Sequence, residues 1–236
     1  MEHTSSCAVC SHAPVSGNRS ALELRRLLVP GLAAPVCLRV ATGGLAAVVL
    51  PDPVVARRFV RTLIGLEAPD SGEVLVHGTP VRRAGRPRAG HRDRRGVALV
   101  PAGGALLPHL TVAENIAYGR VHGEGLSYRQ VAPWVESIAT DMGIRDLLPE
   151  YPEQIGPGRR LQVGLARALL RLPRVVVLEE RAPHPRWREH VTGGWTRSLE
   201  GTAALIVTDS RGEVDPIVDN PDDVHEPALA IGGGGP

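Results

Sequence analysis

Residues 48–66, VVLPDPVVARRFVRTLIGL, run from an apolar strand through a proline-flanked turn into a helix that closes at Gly65. The strand starts slightly earlier, as LAAVVL (45–50), and is apolar at every position. So short and continuous a run predicts a strand buried on both faces. RVVVLEE (174–180) and AALIVTD (203–209) have the same character. Strands of this kind separated by helical stretches predict a parallel α/β sheet. By contrast DSGEVLVHGTPV (70–81) alternates between turn residues, as an antiparallel hairpin does.

Between about residues 104 and 150 the pattern turns helical. Thr111 and Glu114 in TVAENIAYG form a capping-box start with Gly119 closing the turn, and Ser127 with Gln130 repeats the box. RRLQVGLARALLR (159–171) reads as a helix that stops before Pro173. Residues 1–20 lack periodicity and read as a disordered tail. Residues 215–236, with Asp215, Asp219, Asp222, Asp223, Glu226 and a glycine run, read as a solvated acidic tail. That leaves 21–214 as one domain, with a helical lobe at about 104–160.

Composition narrows the chemistry. The chain has 236 residues, enough for one domain with an inserted lobe. Its net charge of +2 gives no global reason for a polyanionic partner. It has neither a long apolar run for a membrane span nor a signal-peptide pattern. Three cysteines, an odd number, argue against a disulfide framework and for a reducing cytoplasm. All 27 of its lysine-plus-arginine residues are arginine, so mechanisms that need a lysine amine are excluded. Cys7 and Cys10 with His3 and His12 have zinc-like spacing, but no second pair follows, so no metal site is expected. RRAGRPRAGHRDRR (82–95) carries seven arginines and no aromatic residue, which favours a solvated loop over a nucleic-acid surface.

Three segments together resemble the nucleotide-binding subunit of an ATP-binding cassette (ABC) transporter. RTLIGLEAPDSGEVLVHGTPV (61–81) resembles the helix end and hairpin that follow the family's phosphate loop. RRGVALVPAGGALLPHLTVAENIAYG (94–119) resembles the glutamine-loop strand and helical lobe. YPEQIGPGRRLQVGLARALLRLPRVVVLEE (151–180) resembles the signature motif, its helix and the second nucleotide strand. The resemblance implies a P-loop-NTPase-like α/β fold: a parallel sheet core, an antiparallel β hairpin region and an inserted helical lobe.

It also implies where the family's site residues fall. Counted back from Gly65, the phosphate loop is Leu50, Pro51, Asp52, Pro53, Val54, Val55, Ala56, Arg57 and Arg58. Glycines, lysine and hydroxyl are all gone. Pro51 and Pro53 have no N–H, Asp52 brings negative charge, and Val54 and Val55 resist the backbone of an anion nest. Losing three or four charged hydrogen bonds and a Mg²⁺ ligand removes on the order of 5–10 kcal/mol. Arg57 and Arg58 are chemically able to clamp phosphate, although surface arginines are common on helices.

The glutamine position is Ala102, and the signature motif falls on Ile155, Gly156, Pro157, Gly158 and Arg159. Glu179 stands for the aspartate of the second strand, Glu180 keeps the general-base position, and Asp209 replaces the switch histidine. Pro108, His109 and Leu110 with the helix after them resemble the surface that docks on a permease. The reading expects a pseudo-ATPase with Glu180 idle, needing no cofactor, that serves as a structural or regulatory partner of a membrane permease or another ABC subunit. It expects no small-molecule substrate, no nucleic acid, and a cytoplasmic place, peripheral on the membrane's inner face. The alternatives are a divergent ABC ATPase that uses ATP and Mg, and a free-standing pseudoenzyme or arginine-rich nucleic-acid-binding protein.

Overall fold

The computed structural model describes residues 20–81, 96–184, 187, 201–213, 218 and 221–230. The expected tail at 1–19, with its cysteine–histidine spacing, and the arginine-rich loop at 82–95 lie outside them.

All three apolar runs form strands: β3 (Leu45–Val49), β7 (Val175–Glu179) and β8 (Ala203–Thr208). With β6 (Val97–Val100) and β9 (Val224–His225) they make a five-stranded parallel sheet in the order β6-β7-β8-β3-β9. A second sheet, antiparallel, has the order β2-β1-β4-β5, from β1 (Ser20–Leu28), β2 (Val36–Ala41), β4 (Ser71–Val76) and β5 (Thr79–Pro80). The hairpin predicted at 70–81 is β4 and β5.

Burial on both faces explains why the central strands are apolar throughout. Alternate residues of one strand enter different cores. Ala46, Val48 and Leu50 face the antiparallel sheet and helix α1 (Pro53–Leu63), together with Val175, Val177, Leu205 and Val207. Ala47 and Val49 face the other core, together with Val176, Leu178, Ala204 and Ile206. That second core is closed by the helical lobe: α2 (Val112–Glu124), α3 (Tyr128–Asp141) and α4 (Pro157–Leu169). Among the described residues no helix is long and apolar enough to cross a membrane.

Both capping boxes form. Thr111 accepts from the Glu114 N–H and Glu114 accepts from the Thr111 N–H; Ser127 and Gln130 are paired in the same way. Three expectations are corrected. Gly119 does not end its helix; α2 continues to Glu124 and stops at left-handed Gly125, while Gly119 lets the Arg171 side chain pack close. Cys37 is disulfide-bonded, since an odd cysteine count excludes full pairing but not a single bridge. The segment read as an acidic tail adds β9 beside β3 and a bridge between Leu32 and Leu229. Val224 is buried while Asp222 and Glu226 are exposed, so local alternation outweighs the average acidity.

Candidate functional site

Three neighbouring parallel strands, β7, β8 and β3, end together. Val49 pairs with Thr208 and Glu179 with Val207, so Leu50, Glu180 and Asp209 leave the sheet at its carboxyl edge. Ala102 follows β6 at the same edge, since Val100 pairs with Leu178. This is where open α/β sheets hold ligands.

The turn after β3 is tied down by the Leu50 N–H, which donates to the Thr208 carbonyl at 2.7 Å. Asp52 then caps α1. Its Oδ1 accepts from the N–H groups of Val54 at 2.7 Å and Val55 at 3.0 Å. Proline at 51 and 53 removes two other donors. The N–H groups at the head of α1 therefore do hold an anionic oxygen, and it is the chain's own. Val55 and Ala56 are buried, with Val55 against Gly31, whereas Val54, Arg57 and Arg58 lie on the exposed side.

Glu180 is only 1% exposed. Its Oε2 accepts from the Trp187 N–H at 2.6 Å and its Oε1 from the Thr208 hydroxyl at 3.1 Å. Glu179 is 3.9 Å from the Arg181 guanidinium, and Asp209 accepts from the Ala182 N–H at 3.2 Å. Each carboxylate at this edge is thus engaged by the chain itself.

Beyond Ala102, Gly103 and Gly104 have positive φ, and the His184 ring packs on Gly103. Gly104 meets α4 at Gly164 and the Arg160 carbonyl so closely that no Cβ fits. Arg167 on α4 donates to the carbonyls of Gly104 at 2.7 Å and Ala105 at 2.9 Å. Burial lowers its pKa. Sequence reading missed Arg167, because surface and buried arginines look alike in a chain where every non-histidine cation is arginine.

The signature positions sit at the head of α4. Ile155 is buried, Gly156 is the N-cap, Pro157 opens the helix with Gly158 after it, and Arg159 donates to Gln162 at 2.9 Å. In the lobe, Pro108 and His109 are exposed and Leu110 is half-buried. Asn115, fully buried, shapes that loop: it accepts from the Leu107 N–H and donates to the carbonyls of Leu107, Leu110 and Thr111. The sequence reading passed over Asn115, whose only signal is a polar residue on the apolar stripe of its helix.

A profile of the family described as "ABC transporter" matches residues 58–182, just beyond the turn at Asp52. An Fe(3+) ions import ATP-binding protein FbpC from Serratia marcescens is 35% identical over 143 residues, covering 61% of this chain and 40% of that protein. A sulfate/thiosulfate import ATP-binding protein CysA from Halalkalibacterium halodurans is 33% identical over 150 residues, covering 62% of this chain and 40% of that protein. The chain thus matches about 40% of the length of these relatives. The solved structure of cbiO1 from Clostridium perfringens, part of the ABC transporter complex cbiONQ, superposes with a TM-score of 0.74 at 17% identity, covering 90% of this chain and 88% of that one. A second, of an ATP binding subunit of an ABC transporter, has a TM-score of 0.65 at 18% identity, covering 85% and 84%. The fold is that of these two solved chains.

These findings overturn the expectation that no cofactor is needed. The matched family is represented by proteins named for binding ATP. That expectation weighed the lost glycines, lysine and hydroxyl and the prolines at 51 and 53, whereas the backbone N–H groups of Val54 and Val55 remain as donors at the head of α1.

Proposed function

This chain belongs to the ABC transporter family, and on that premise we propose that it is an ATP-binding-type importer subunit that holds ATP weakly and does not turn it over. It works as a pseudo-ATPase, a structural or regulatory partner of a membrane permease or of another ABC subunit, peripheral on the membrane's inner face. The domain is taken as residues 21–214 with strand β9 completing its sheet, and the permease is met through Pro108, His109 and Leu110. Asn115 holds that loop in one shape from beneath.

The observation that carries this reading is the Asp52 carboxylate on the Val54 and Val55 N–H groups. Phosphate oxygens would be held by those two donors, and only after Asp52 withdraws. Hydrogen bonds to a charged group contribute about 1.5–3 kcal/mol each. Competition for two of them weakens nucleotide binding by a factor on the order of 10²–10⁴. No lysine exists to compensate, and Arg57 and Arg58 point outward from the helix head. Glu180, the one retained position for a base, has both oxygens engaged.

The test is an Mg-ATP titration of the melting midpoint of the full chain and of Asp52→Gly. Glycine at an N-cap costs only a few tenths of a kcal/mol, so the fold is preserved. The wild type should respond only at millimolar ATP, and Asp52→Gly at least tenfold lower. Phosphate release should stay at background in both. Release by the wild type that Glu180→Gln abolishes would sink the reading.

A further inference from the structure

Glu180 and Trp187 are each 1% exposed, and Trp187 is the largest fully buried side chain among the described residues. Trp187 is tied to Glu180 and to its neighbour Glu179. The Trp187 backbone N–H donates to Glu180 Oε2 at 2.6 Å, and its indole Nε1–H donates to the Glu179 carbonyl at 3.3 Å. On the other side, the fully buried Thr208 donates its hydroxyl to Glu180 Oε1 at 3.1 Å. One carboxylate thus gathers the end of β7, the end of β8 and a buried tryptophan. A general base must come within hydrogen-bond reach of the proton it takes, directly or through one water. This carboxylate is instead buried, with Oε2 on the Trp187 N–H and Oε1 on the Thr208 hydroxyl.

We propose that Trp187 and Glu180 form an autoinhibitory latch: Glu180 anchors Trp187, and Trp187 keeps Glu180 out of the site. The inference rests on the reading of the chain as a subunit without turnover, and it assigns that lack to a self-made contact as well as to the altered phosphate loop. It makes Glu180 a positioning residue whose loss is felt at Trp187 before any nucleotide is added.

Trp187 can be watched directly in a Trp134→Phe, Trp195→Phe background, where it is the sole tryptophan. Emission and acrylamide quenching are measured without nucleotide in that parent and with Glu180→Ala or Glu180→Asp added. The aspartate is one methylene shorter and retreats from the Trp187 N–H. The parent should emit to the blue and quench poorly. Both variants should emit further to the red, with a quenching constant at least threefold higher, at unchanged far-ultraviolet circular dichroism. If Glu180→Ala loses that dichroism, Glu180→Asp decides. A folded variant whose Trp187 stays as protected as the parent's overturns the latch, and so does a parent whose Trp187 is already exposed. Phosphate release dependent on Glu180 would instead sink the function reading, in a separate assay with ATP present.

Discussion

Asn115 shows how much a single buried amide can organise. Each of its polar atoms is used, on carbonyls and an N–H of the Leu107–Thr111 segment. Replacing it with alanine leaves those groups without partners in a dry interior. We expect Asn115→Ala to lower stability by about 2–4 kcal/mol in urea unfolding. At this scale the sequence was legible where a residue acts on its near neighbours. Thr111 and Glu114 announce their box because the partner lies three positions away. Glu180 stands out in the sequence by its position, but not by its partners, which are Thr208 on another strand and Trp187 beyond a turn. Asp52 was seen as a charge hostile to phosphate, and the structure adds that it occupies the donors itself.

At the scale of elements, helix α4 and the loop after Ala102 approach closely because two glycines meet. A Cβ at Gly164 would lie 2.8 Å from the Gly104 Cα, a backbone atom that cannot step aside. Gly164→Ala should therefore cost about 1–3 kcal/mol through overpacking. Gly123, in helix α2, has open space around it. Gly123→Ala should add about 0.5–1 kcal/mol by helix propensity alone. Opposite shifts in urea midpoint from the same chemical change would check both. The strands β3, β7 and β8 were legible because burial on two faces leaves no polar positions. Strand β1 was not, because Arg26 takes a positive φ and its register shifts between Leu24 and Leu27, which breaks the alternation. Strand β9, with two residues, is too short to carry a period.

For the whole molecule, the way the parallel sheet is completed carries a pH signature. Burial lowers the pKa of His225 below the ordinary 6.5, against the opposing pull of Asp223 and Asp222. Unfolded chain takes up that proton more readily than folded chain, so stability rises with pH across this window. The contribution is complete above about pH 6.5 and is lost as the pH falls below it. Between about pH 7.5 and 5.5 the wild type should lose more stability than His225→Leu, as read from urea midpoints at each pH. The same edge bears on how the protein is made. Strand β3 lies between β8 and β9, yet its residues leave the ribosome long before either neighbour is translated. During that interval a continuously apolar strand has both edges bare, the situation that invites pairing with other chains. The antiparallel sheet, whose strands all lie within residues 20–80, can close meanwhile. Newborn chains therefore pass through a half-built state, and yield in a cell depends on what shields LAAVV until β9 has been translated.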